Sequence, residues 1–187
     1  MRDEKLALFV LLGQTAEARI NRIPETVPSI RMMLSPILDV AMLIPEDVKS
    51  SEHASITYKL FYVFENYLRD LVQDVLSENN PDWWENKVSK DIKDEVARTS
   101  TTEESKMWMG LNRRKELLLT TYPQLLKIIE DNWKDCFDQT VKDRNLIYEA
   151  KLISHIRNTA CHMVDVPEEE IERVKQVIRD WFRMVMP

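Results

Sequence analysis

Residues 146–185 read LIYEAKLISHIRNTACHMVDVPEEEIERVKQVIRDWFRMV, and their spacing decides the fold class. Leu146, Ala150 and Ile153 recur at intervals of four and three, the apolar stripe of an α-helix. Four more residues along the same face is Arg157. The pattern then restarts at Asp165-Val166-Pro167. An early Pro, a capping Asp165 or Val166, and Glu168, Glu169 and Glu170 facing the positive dipole end mark a new helix. Ile171, Val174, Ile178, Trp181 and Val185 repeat at three and four, so this last helix must pack against the one before it.

The same period recurs upstream. Leu60, Phe64, Tyr67, Leu71 and Val75 predict a long helix that Ser77–Pro81 ends. A more polar helix is expected from Asp82 to about Arg98, opening on Trp83 and Trp84. Thr99–Thr102 reads as a loop, and Thr102 to Ser105 as the cap of a helix carrying Met107, Leu111, Leu118 and Leu119. Tyr122-Pro123 marks a break, and Leu125, Ile128, Ile129 and Trp133 form a further stripe. Residues 3–45 read as two or three helical pieces punctuated by Pro24, Pro28, Pro36 and Pro45. The expected organisation is an N-terminal helical extension, 1–49, and a helical domain, 50–187.

Composition agrees with an all-α protein. The chain has 187 residues, 44% hydrophobic, and only 2 Gly, too few for a sheet protein with many tight turns. A net charge of −6 argues against a broad duplex-DNA footprint and leaves room only for a local basic pocket. Cys136 and Cys161 make no disulfide framework, so reduced thiols and a cytoplasmic location are expected. Leu6–Leu12 superficially resembles a signal peptide, but Asp3 and Glu4 cancel Arg2 and Lys5, and it reads as the buried face of a first helix. Ile30–Ile44 is apolar and Met-rich but is interrupted by Arg31, Pro36 and Asp39, so no membrane segment is expected.

Arg157, Asn158 and His162 stand out chemically. Asn158 and His162 lie four apart and share a helical face, with Arg157 rotated by about 100° from Asn158. A helix ending near Cys161 or Met163 puts His162 at the negative dipole end, which favours its protonated form. Such a trio suits RNA cleavage by the 2′-hydroxyl. His162 moves a proton near neutral pH, Arg157 stabilises charge on the phosphate oxygens, and Asn158 orients sugar or phosphate. The RNA supplies its own nucleophile, so no metal and no cofactor is called for.

A plainer reading stands beside this one. Arg157 can be a buried charge paired with Glu65, and His162 a helix-terminal cap. Spacing alone favours that reading. Glu65 and Arg69, four apart, are expected to pair, with Glu65 also able to position Arg157. Arg113, Arg114 and Lys115 are candidates for RNA phosphates, though a solvated face is the commoner outcome. Trp83, Trp84 and Trp133 are candidates for stacking bases, or for core. Cys161 points about 100° from His162 and reads as buried and inert. His155, Cys161 and His162 lack a fourth zinc ligand at suitable spacing.

The context shifts the balance. Phe64-Glu65-Asn66-Tyr67-Leu68-Arg69, then Trp83-Trp84, then Ile-Arg-Asn-Thr-Ala-Cys-His before an acid-capped final helix resembles the HEPN superfamily, whose hallmark is Arg, a polar residue, three residues and His. The likeness spans roughly Ser50 to Met186 and is to the branch found as the C-terminal domain of a nuclear messenger-RNA quality-control endoribonuclease. The resemblance implies an antiparallel helical bundle, a homodimer, and a metal-independent endoribonuclease cleft between two motif copies at Arg157, Asn158 and His162. A toxin, a phage-defence effector or an RNA-processing factor is the expected role, with a possible antitoxin or regulatory partner. HEPN toxins modified by nucleotidyltransferase antitoxins carry Tyr two residues after the His, where this chain has Val164. The alternative is a catalytically silent HEPN module that binds nucleotide or a partner protein; a purely structural adaptor using Ile30–Ile44 is a third. Arg157 and His162 of one chain point about 140° apart on a helix, so a two-fold dimer is expected to complete the cleft.

Overall fold

The computed structural model describes residues 33–35, 38–39, 52–78, 80–106, 108 and 115–185. The chain divides into two units, residues 1–50 and 51–187. In the first, Met33–Ser35 (β1) and Leu38–Asp39 (β2) form an antiparallel ladder pairing Met33 with Asp39 and Ser35 with Leu38. This corrects the helical reading at those residues. Pro36 disfavours the α conformation at Ser35 and removes a backbone donor, so the chain stays extended there. The rest of the extension, including Leu6–Leu12, lies outside the described residues.

The second unit is an all-α bundle. Its first helix, α1 (Glu52–Ser77), packs against four later α-helices, so it buries a wide face. Phe61, Phe64, Leu68, Val72 and Leu76 are its deepest line, whereas Leu60, Tyr67 and Val75 are only partly covered. The expected stripe is therefore real but rotated by about one position.

The helix expected from Asp82 to Arg98 is two helices, α2 (Trp83–Lys87) and α3 (Lys90–Glu104), separated by extended Val88 and Ser89. Helix α3 runs on through Thr99–Thr102, correcting the loop expected there. The hydroxyls of Thr99, Thr101 and Thr102 donate to the carbonyls of Glu95, Ala97 and Arg98, so these side chains are satisfied within the helix. Ser105 caps the C-terminus of α3 and donates to the Thr102 carbonyl, so Thr102–Ser105 closes one helix rather than opening the next. Met107 and Leu111 lie outside the described residues, and Leu118 and Leu119 fall in a 3₁₀ turn, Glu116–Leu119.

Tyr122-Pro123 opens α4 (Tyr122–Asp131), with Gln124 reaching back to the Thr121 N–H at 2.8 Å. A π-helical turn, Trp133–Phe137, leads to α5 (Asn145–Leu152), α6 (Ser154–Cys161) and α7 (Glu168–Val185). Leu146, Ala150 and Ile153 are all buried, as their spacing predicts, although the helix breaks at Ile153. The break preserves the face, because the Arg157 N–H still donates to the Ile153 carbonyl at 3.1 Å.

An aromatic cluster sets the arrangement of α1, α4 and α7. The Phe64 ring lies 5.6 Å from Trp181 and 6.0 Å from Tyr122, and Phe61 meets Tyr122 edge-on at 5.6 Å. Each such pair adds about 0.5–1.5 kcal/mol beyond the area it buries. The Tyr122 hydroxyl donates to the Ala150 carbonyl at 2.8 Å, tying α4 to α5. Burial, reinforced by the nearby Glu65 carboxylate, pushes the Tyr122 phenol far above its ordinary pKa. No helix among the described residues is long and apolar enough to cross a membrane.

Candidate active site

The same core that buries Phe64 also buries its neighbour Glu65, at 8% exposure, where an isolated carboxylate would be costly. Two guanidinium groups offset that cost. Arg69, one turn along α1, donates Nη2 to Glu65 Oε1, and Arg157 on α6 donates both Nε and Nη2 to Glu65 Oε2 at 3.3 Å. Arg69 is itself fixed by Asn66 Oδ1 at 3.2 Å and the Thr120 carbonyl at 3.0 Å. The carboxylate thus serves both arginines, and the local sum is one net positive charge in an acidic protein.

These groups line an open cleft of about 330 Å³ between α1, α6 and the 3₁₀ turn. Tyr58 and Tyr62 form one wall, Leu118 another, and Arg157, Ala160 and Cys161 the α6 side. Arg157 is 25% exposed, and its Nη1 has no partner among the described residues. Among the described residues the guanidinium is therefore held along its Nε–Nη2 edge, and a quarter of the side chain remains exposed.

The far end of α6 is built differently. His162 is its C-cap and is exposed. Met163 follows with φ 59°, its N–H donating to the Ala160 carbonyl at 3.1 Å, while the Val164 N–H donates to the Thr159 carbonyl at 3.3 Å. That pair of bonds is a Schellman motif, in which Gly normally occupies the left-handed position. Here a methionine, 87% exposed, takes it without gaining burial. The motif stops the helix at His162 and fixes the backbone that carries the imidazole.

Arg157 lies in the cleft, whereas Asn158 and His162 are exposed and do not line it. The plainer reading of Arg157 as paired with Glu65 and the expected Glu65–Arg69 pair both hold. Cys161 is exposed at the cleft, correcting its reading as buried: it falls in the last turn of α6, on the side facing α1. Arg113 and Arg114 lie outside the described residues, and Lys115 is exposed. Trp83 is buried in the core, and Trp84 and Trp133 pack against it, the Trp133 Nε1 donating to the Val141 carbonyl at 2.7 Å. His155 is exposed at the start of α6. Tyr58, Tyr62 and Asn66 were not singled out from the sequence, although their four-residue spacing places them on one face of α1.

Residues 59–186, the greater part of the chain, match the Swt1-like HEPN family. No curated protein and no solved structure matches the chain. The bundle, the Arg157–His162 helix and this match agree with the branch whose residues the sequence resembles, and the chain belongs to the Swt1-like HEPN family.

Proposed function

We propose that the domain is an endoribonuclease that cleaves RNA by 2′-hydroxyl transesterification without a metal. The observation carrying this reading is that one short helix holds a partly open guanidinium at Arg157 and an exposed imidazole at His162. In the reaction, the 2′-oxygen bonds to phosphorus as the bond to the 5′-oxygen breaks. The His162 imidazole takes the 2′-hydroxyl proton and, as imidazolium, delivers it to the departing 5′-oxygen. Arg157 stabilises the charge on the non-bridging oxygens, and Asn158, exposed one residue along, orients sugar or phosphate. The products are a 2′,3′-cyclic phosphate and a 5′-hydroxyl. Glu65 and Arg69 are positioning residues that act through Arg157.

Within one chain, Arg157 faces the cleft and His162 lies outside its lining. We propose that a homodimer brings two α6 helices around one phosphate, so that Arg157 of one chain serves with His162 of the other. Lys115, with Arg113 and Arg114, would supply further phosphate contacts. A toxin, defence effector or RNA-processing role, a cytoplasmic location, and control by an antitoxin or regulatory protein fit this activity. The organisation as an extension, 1–49, and a catalytic domain, 50–187, belongs to the same proposal.

One observation favours the silent alternative, a module that binds nucleotide or a partner protein. Glu65 already neutralises much of Arg157. The test incubates pure protein and His162→Ala with total RNA in excess EDTA. Cleavage by the parent alone, leaving 2′,3′-cyclic phosphate ends and sparing DNA, is expected. Equal cleavage by both proteins, or strict dependence on Mg²⁺ or Mn²⁺, would overturn the assignment.

A further inference from the structure

The least expected feature of the cleft is its aromatic wall. Tyr58 and Tyr62 sit one turn apart on α1, 59% and 61% exposed, on the same helix that elsewhere supplies the deepest core. Their rings stack at 6.1 Å between centroids with 27° between planes. Both border the cavity that holds Arg157 and Arg69, and Leu118, 47% exposed, lines it too. Two large rings left in water beside a charged floor lose the stabilisation that burial would give.

We infer that Tyr58 and Tyr62 form a stacking platform for one unpaired nucleobase, whose phosphate meets the exposed part of Arg157. The inference rests on the endoribonuclease reading and names its substrate as single-stranded RNA. The chemistry of the wall and floor supports it. An aromatic face accepts any base through its π-surface, and the net positive floor complements the phosphate attached to that base. Phosphate alone would need no aromatic wall, and an apolar partner would gain nothing from two guanidinium groups.

The size of the cleft narrows the choice. At about 330 Å³ it is at the small end of ligand pockets, enough for a nucleotide unit. A base inside a duplex is stacked on its neighbours and cannot offer its face to Tyr62, so paired RNA should be a poor ligand. The Asn66 Nδ2 donates to the Tyr62 carbonyl at 2.7 Å while its Oδ1 accepts from Arg69, linking the aromatic wall to the arginine floor. The turn of α1 that carries Tyr62 thus also steadies Arg69 at the floor of the cleft.

The same chemistry is offered by a free mononucleotide, and the experiment separates the two sources. Fluorescence anisotropy is measured on full-length His162→Ala, with a labelled single-stranded oligouridine, the same length of RNA as a perfect hairpin stem, and AMP as competitor. The Tyr58→Ala/Tyr62→Ala double variant should bind the single strand about tenfold or more weakly, the range seen when one stacking contact is lost. Tyr58→Phe/Tyr62→Phe should bind as the parent does, because stacking needs the ring and not the hydroxyl. Hairpin RNA should bind weakly to all three, and AMP should compete only at far higher concentration than the oligonucleotide. In the background with His162 restored, the alanine pair should raise KM with little change in kcat.

Several results would overturn the platform. One is RNA cleavage and single-strand binding unchanged in the alanine pair, which removes the platform and leaves the nuclease standing. A second is loss of the oligomer in light scattering for the alanine pair, which would assign the rings to contact with another copy of the chain. A third is AMP binding as tightly as the oligonucleotide, which would make the cleft a nucleotide site. Absence of both RNA binding and RNA cleavage in the parent would remove the nuclease reading and the platform together.

Discussion

Arg157, in the middle of α6, and His162, its C-cap five residues on, are the two ends of the motif, yet the protein treats those ends in opposite ways. Arg157 is tied by two bonds to a buried carboxylate that a second arginine also grips. His162 has its backbone fixed by a Schellman motif, while its side chain is left in water. One end spends side-chain freedom to gain position; the other fixes only the main chain. The lesson is physical. A group that stabilises charge must already be in place when charge develops, whereas a group that moves a proton must remain open to the reacting atoms and to solvent.

Substitution should separate the ends by stability while equating them in activity. Arg157→Ala and His162→Ala should each lower the cleavage rate by roughly 100-fold or more. Arg157→Ala leaves Glu65 with Arg69 alone and should cost on the order of 1–3 kcal/mol of unfolding free energy. His162→Ala, at an exposed cap, should stay within about 0.5 kcal/mol. Urea denaturation of both variants checks the contrast. Equal stability losses would erase it.

Glu65→Gln tests the buried end further. The change leaves two guanidinium groups without their shared anion and should cost roughly 3 kcal/mol, with activity falling because Arg157 is no longer aimed. Retention of parental stability and kcat would show that the carboxylate positions nothing. At the open end, Met163→Gly removes a side chain from a left-handed position and should raise stability by about 1 kcal/mol. Thermal melts would detect this, and an unchanged or lowered Tm would mean that the methionine is held by contacts made elsewhere.

The smallest effect lies away from the cleft and calibrates the others. The Lys151 ammonium, hydrogen-bonded to Glu130 and assisted by Arg144, holds the Glu130 carboxyl below its ordinary pKa of 4.5. A carboxyl depressed in the folded state contributes stability above its unfolded pKa, and that contribution disappears as pH falls through the folded value. Lys151→Met should therefore be less stable than the parent at neutral pH, with the gap narrowing below about pH 4.5. A gap that widened in acid would contradict the pairing.

Much of the bundle was legible because burial has a period. Ile171, Val174, Ile178 and Trp181 marked α7, and Leu146, Ala150 and Ile153 marked the approach to Arg157. Breaks were harder. Val88 and Ser89 interrupt a helical pattern without Gly or Pro, and Thr99–Thr102 stay helical because their hydroxyls bond back to carbonyls. At the site, the four-residue spacing of Glu65 and Arg69 announced their pair, and Glu65 was also a candidate partner for Arg157, but nothing local could decide that the carboxylate serves both arginines at once. Tyr58 and Tyr62 went unnoticed because an aromatic at helical spacing normally signals core, and only the fold shows these two left outside it. The exposure of Cys161 depended likewise on which side of α6 meets α1.

In the proposed mechanism Arg157 and His162 act on one phosphate only when two chains meet. The most direct measurement mixes Arg157→Ala chains with His162→Ala chains, exchanges subunits, and follows cleavage of a single-stranded RNA. The mixture should recover activity well above either variant alone, because the heterodimer keeps one intact pairing of Arg157 with His162 across the interface. Heterodimers verified by native mass spectrometry that cut no faster than either parent variant, or a protein that remains monomeric at micromolar concentration while cleaving RNA, would contradict it.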